Sequence, residues 1–113
     1  MDFKKIEVEI AESFKQKLLG LITYKKLGRN RVMLIENCRS IHTFFMRFPI
    51  DVIFVDKNDT IVKLKKNLKS YRFLIANSKA KNVYEASNGF IKRFNLKIGD
   101  NIREIRGQTP NFL

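Results

Sequence analysis

One cysteine, one histidine and two prolines are all that this 113-residue chain contains of those three residue types, and each scarcity closes off a class of protein. A lone cysteine cannot form an internal disulfide, which fits a reducing compartment and makes a cytoplasmic location the expectation. With one thiol, one imidazole and scattered carboxylates, no set of residues has the spacing of a zinc site, so neither a metal nor another cofactor is implied. No apolar run approaches the ~18 residues that cross a bilayer, and the acid-containing start MDFKKIEVEIAES does not resemble a signal peptide. Membrane insertion is therefore not expected. There is no G-x-x-x-x-G-K phosphate loop and no G-x-S-x-G nucleophile elbow.

Acidic residues are also few, 11 against 23 basic ones, for a net charge of +12. Residues 13–35 carry six basic side chains and no acid, and residues 60–84 carry seven and no acid. A field of that sign attracts nucleic acid or anionic surfaces. The competing account is compositional. Lysine outnumbers arginine 15 to 8, and isoleucine (13) and asparagine (10) are abundant too. All three have A/T-rich codons, and a phosphate groove would favour the bidentate fork of arginine. Lys63, Lys65, Lys66, Lys69 and Arg72 are the candidate anion contacts if the charge is functional.

What is plentiful is apolar residue content, 44% of the chain, enough for a globular core. A chain of this length fits one domain and buries roughly two thirds of its unfolded surface. Strict alternation over residues 5–10 (KIEVEI) predicts a half-buried strand. Phe14 and Leu18 at helical spacing, with Gly20 as a stop, predict a short helix over 13–19. Residues 31–36 (RVMLIE) read as an interior strand, apolar on both faces. Residues 38–56 (CRSIHTFFMRFPIDVIFVD) then predict the central pair of strands, broken by a corner at Pro49, which cannot donate to a ladder. A polar turn over 56–59, an alternating strand over 60–65 and an ordered loop over 67–80 follow. Beyond them come a strand over 82–86, a helix over 90–94 entered through Ser87-Asn88-Gly89, a turn over 97–100 and a last strand over 101–106. Consecutive short strands favour a single-domain, mainly antiparallel β sandwich or barrel with two short helices.

The motif C-x-SIHTFFMRFPIDVIFVD, followed by NLKSYR at 67–72, VYEASNG at 83–89 and LKIGD at 96–100, resembles the DUF192 (UPF0127) family of small proteins. The likeness covers about residues 14–105, with departures at Tyr84 and at Ser87-Asn88. It implies a mainly β, jelly-roll-like sandwich or barrel and carries no established activity. On this basis residues 1–106 are expected to form one DUF192-like domain and 107–113 a flexible tail.

Asp51, flanked by Ile50 and Val52, is the most informative polar residue. An unpaired buried carboxylate costs several kcal/mol, so it must find donors, either Arg47 or backbone amides at the Pro49 corner. The structural reading is a clamp; the functional one makes His42, Arg47 and Asp51 the polar rim of a pocket, with Glu85 of similar standing. Glu85 precedes the glycine turn, where it would cap helix amides or face a ligand. Asn88-Gly89 offers amides to an anion. Cys38 and His42, four apart on a strand, stand ~13 Å from each other, too far for proton transfer.

Three classes of function follow. The leading one is a non-enzymatic binding module for a small ligand, peptide or partner protein beside the Pro49 corner. The alternatives are nucleic-acid binding by the basic stretches, and an enzyme of undescribed chemistry using Asp51, His42 or Glu85.

Overall fold

The computed structural model describes residues 7–10, 31–41, 49–69 and 75–106. They form β1 (Glu7–Ile10), β2 (Arg31–Glu36), β3 (Ser40–Ile41), β4 (Ile50–Val55), β5 (Ile61–Leu68), β6 (Ile75–Ala76) and β7 (Asn82–Ser87). Two short helices follow, α1 (Phe90–Arg93) and α2 (Ile102–Arg106). The expected helix over 13–19, most of the strand over 41–46 and the tail lie outside the described residues.

β1, β2, β7, β4 and β5 lie side by side in that order in one sheet. Along β2, β7, β4 and β5 each strand is antiparallel to its neighbour, and β1 joins the edge parallel to β2. The fold is mainly β and antiparallel, as expected, but this sheet is open, with β1 and β5 at its ends, and is not the closed barrel. β4 takes the interior place that its apolar run predicts, and all six of its residues are buried. β3 does not join it there. Ser40–Ile41 instead pairs with β6 in a separate two-stranded sheet, which corrects the expectation that 38–56 supplies two adjacent central strands.

Alternation divides the core between the two faces of the sheet. On one face Val32, Leu34, Ile53, Val55, Tyr84 and Ala86 pack with Phe90, Ile91, Phe94, Leu96 and Ile102 from the helical segment. On the other, Met33, Ile35, Ile50, Val52, Phe54, Leu68 and Val83 form a second cluster with Ala80. The β4–β5 hairpin closes through the polar turn at Asp56, whose Oδ1 accepts from the amides of Asn58 (2.8 Å) and Thr60 (3.0 Å). Asp59 there has φ 64°, a conformation that aspartate tolerates.

The segment over 101–106 is helical, not a strand. Ile102 and Ile105 stand three apart with Arg103-Glu104 between them, a helical spacing. Asn101 caps the helix by accepting from the Arg103 amide at 2.9 Å. The loop before it is sewn to the hairpin by Gly99 N to Ile61 O and Ile61 N to Asp100 O, each 2.8 Å, and by Ile102 N to Asp59 O, 2.9 Å. Among the described residues no helix is long and apolar enough to cross a membrane.

Candidate functional site

Asp51 lies on the helix-covered face, opposite Ala86 of β7. The β4–β5 register shifts beside it. Ile50 pairs with Leu68 but Val52 with Lys65, so Lys66 and Asn67 together face Asp51 in a β-bulge. Asn67 adopts φ 52°, which turns its amide onto Asp51 Oδ1 at 2.9 Å. The other oxygen, Oδ2, accepts from the amides of Ile91 (2.9 Å) and Gly89 (3.2 Å) at the start of α1. The expected donors were Arg47 or the amides of the Pro49 corner. The three amides found belong to the β5 bulge and the α1 start, and Arg47 lies outside the described residues. Asn88-Gly89 does lead amides to an anion, but that anion is Asp51 itself. With both oxygens engaged by fixed backbone donors, the carboxylate fastens bulge and helix to β4, an arrangement suited to a clamp rather than to proton transfer.

Glu85 is placed differently. It sits in β7 directly opposite Met33 of β2 and Val52 of β4, on the face away from α1. It is 3% exposed. Among the described residues none donates a hydrogen bond to its carboxyl or forms an ion pair with it. Burial pushes its pKa from 4.5 up to about 8, because desolvation disfavours the charged form. The expectation that Glu85 would cap the helix amides is overturned by strand parity: Asp51 occupies that position and Glu85 points through the opposite face. The two carboxyls therefore do not share one pocket rim.

The DUF192 profile, described as an uncharacterized ACR, matches residues 1–104. The chain belongs to the DUF192 family. Among curated relatives, UPF0127 protein PF1050 of Pyrococcus furiosus is 35% identical over 101 residues, covering 87% of this chain and 86% of that one. UPF0127 protein PH1112 of Pyrococcus horikoshii is 36% identical over 100 residues, covering 86% of each chain. A solved structure from Sinorhizobium meliloti 1021, of a protein provisionally called a transcription regulator, superposes with a TM-score of 0.75. It shares 22% identity and covers 83% of this chain and 78% of that one, a likeness of fold alone.

The other candidates in this DUF192 domain separate as well. Lys63 is committed locally, its ammonium donating to the Ala76 carbonyl at 2.8 Å and standing 5.9 Å from the Phe54 ring centroid. Lys65, Lys66 and Lys69 are exposed. His42 and Arg72 lie outside the described residues. The half-buried Cys38 donates its thiol to the Ser40 carbonyl at 2.9 Å. Among the described residues no three ligating side chains cluster as a metal would need. Sequence reasoning passed over Asn67, whose amide completes the Asp51 clamp. Its signal was an asparagine, a residue that enters the left-handed region readily, at the start of the NLKSYR motif.

Proposed function

We propose that this DUF192 protein is a non-enzymatic binding module whose site includes the buried Glu85. The observation that carries this reading is a glutamate, 3% exposed, set between Met33 and Val52 with its pKa raised to about 8 by desolvation. Structural carboxylates in a core take up backbone amides, as Asp51 does on the neighbouring strand. A titratable group whose pKa is raised by desolvation is a pointer to a functional site. The surrounding Met33, Val52, Phe54 and Val83 supply an apolar floor, the composition of a small-molecule or peptide site.

The test is a thermal-shift ligand screen on the wild type and on Glu85→Gln, followed by backbone NMR of any hit. Ligands of this surface should stabilise the wild type more than the variant and perturb the amides of Met33, Val52 and Glu85. Hits that are indifferent to Glu85→Gln, or that perturb other surfaces, would refute the proposal.

A second reading, nucleic-acid binding, is supported by the exposure of Lys65, of Lys66 in the β5 bulge and of Lys69 just beyond the strand. It ranks below the first because Lys63 is tied to Ala76 and Phe54 rather than presented to solvent.

A further inference from the structure

Of the ten asparagines in the chain, Asn88 alone is followed by glycine, and the pair joins the end of β7 to the start of α1. Both residues are exposed. An asparagine before glycine can modify itself, because glycine turns freely and has no side chain to hinder its own nitrogen. The Gly89 nitrogen must lose its proton and reach the side-chain carbonyl carbon of Asn88. Crowding does not prevent this, since a Cβ built on Gly89 would meet no atom within 4 Å. Asp51 stands in the way. The Gly89 amide donates to Asp51 Oδ2 at 3.2 Å, and the Gly89 carbonyl accepts from the Arg93 amide at 2.9 Å. The glycine is thus held from both sides at φ 97°. Ile91 donates to the same Oδ2 at 2.9 Å, which keeps that oxygen in place. The carboxylate charge also opposes formation of an amide anion beside it, as a neighbouring like charge does.

We infer that Asn88 is a deamidation site that the Asp51 clamp holds shut. When the clamp opens, the Gly89 nitrogen gives its proton to water and bonds to Asn88 Cγ. The bond from Cγ to the side-chain nitrogen breaks, ammonia leaves, and a five-membered succinimide closes. Water then opens either of its carbonyls, giving aspartate or isoaspartate at position 88. In sum an amide and water become a carboxylate and ammonium, and nothing is oxidised or reduced. The isoaspartyl product routes the main chain through the former side chain and lengthens the link between β7 and α1. Loss of the clamp is thereby recorded as a covalent change where α1 begins.

The test incubates the full chain at mildly alkaline pH and follows position 88 by peptide mapping with mass spectrometry. The chain unfolded in guanidinium gives the unrestrained rate. Folded wild type should react at least ~10-fold more slowly, and Asp51→Ala at least ~10-fold faster than folded wild type, the order of a charge-assisted hydrogen bond. Asp51→Asn keeps an acceptor without the charge and should fall between them, and it decides the question if the alanine variant does not fold. Wild type in enough guanidinium to match each variant's stability corrects for global unfolding, and it should stay slower than that variant. Folded wild type keeping pace with the unfolded chain would overturn the inference. So would variants no faster than the matched wild type, or another asparagine reacting first in the folded protein.

Discussion

The amide of Ile91 and the carboxylate of Asp51, 40 residues apart in the chain, meet at 2.9 Å. That bond places the first turn of α1 over the start of β4. Its companions from Gly89 and Asn67 make one side chain answerable for three backbone donors on two other elements.

Asp51→Ala should therefore cost ~2–4 kcal/mol, because it strands buried donors and removes the pin of the β5 bulge. Asp51→Asn retains an acceptor and should cost less. Urea melts of both variants provide the check. A midpoint that barely moves for the alanine variant would show that bulge and helix hold without the clamp.

Glu85 predicts a pH dependence whose sign is fixed by the direction of its shift. Its pKa is raised from 4.5 to about 8 on folding, so the unfolded chain gives up this proton first. Stability is full below the unfolded value and is lost as pH rises toward about 8, at up to roughly 1.4 kcal/mol per pH unit. Glu85→Gln cannot ionise. It should match the wild type near the acid end of that window and exceed it by several kcal/mol at the alkaline end. Parallel stability profiles for the two proteins would mean that the carboxyl is solvated or paired.

Phe54 is fully buried in the cluster on the Glu85 face. Truncation to alanine should open a cavity there and destabilise the fold by ~3–5 kcal/mol. It also removes the ring beneath the Lys63 ammonium. Chemical denaturation followed by circular dichroism measures the loss, and near-wild-type stability would contradict the buried, interior position of β4.

The net charge of +12 is expected to give only weak, non-specific association with polyanions. A groove contacting six or more phosphates loses affinity by roughly 10³ or more between about 50 and 200 mM salt yet still binds at the upper end. Scattered lysines should show no measurable binding there and no preference among sequences or strand types. Fluorescence anisotropy with short DNA and RNA oligonucleotides across that range distinguishes the two. Sequence-selective binding at the upper salt concentration, lost when Lys65, Lys66 and Lys69 become glutamine, would put the nucleic-acid reading first.

The amino-acid sequence by itself determined the elements whose signal is local. The apolar run of β4, the alternation of β5, the Asp56 turn and the Gly89 entry to α1 follow from side-chain periodicity and from residues that accept unusual backbone angles. Periodicity read too loosely also produced a strand where there is a helix, since Ile102 and Ile105 keep helical spacing and Asn101 is a good cap. Tertiary structure decided what no local pattern holds. The amides that satisfy Asp51 lie 16, 38 and 40 residues away, and only the register of β4 against β5 and β7 brings them to it. The same register, through the two-residue period of a strand, sends Asp51 to the helix side and Glu85 to the other. Both acids looked alike in the sequence, each a carboxylate among apolar residues. Strand pairing gave one of them three backbone donors and left the other in an apolar setting with none from the described residues, because a side chain's face is set by its partner strands and not by its neighbours in the chain.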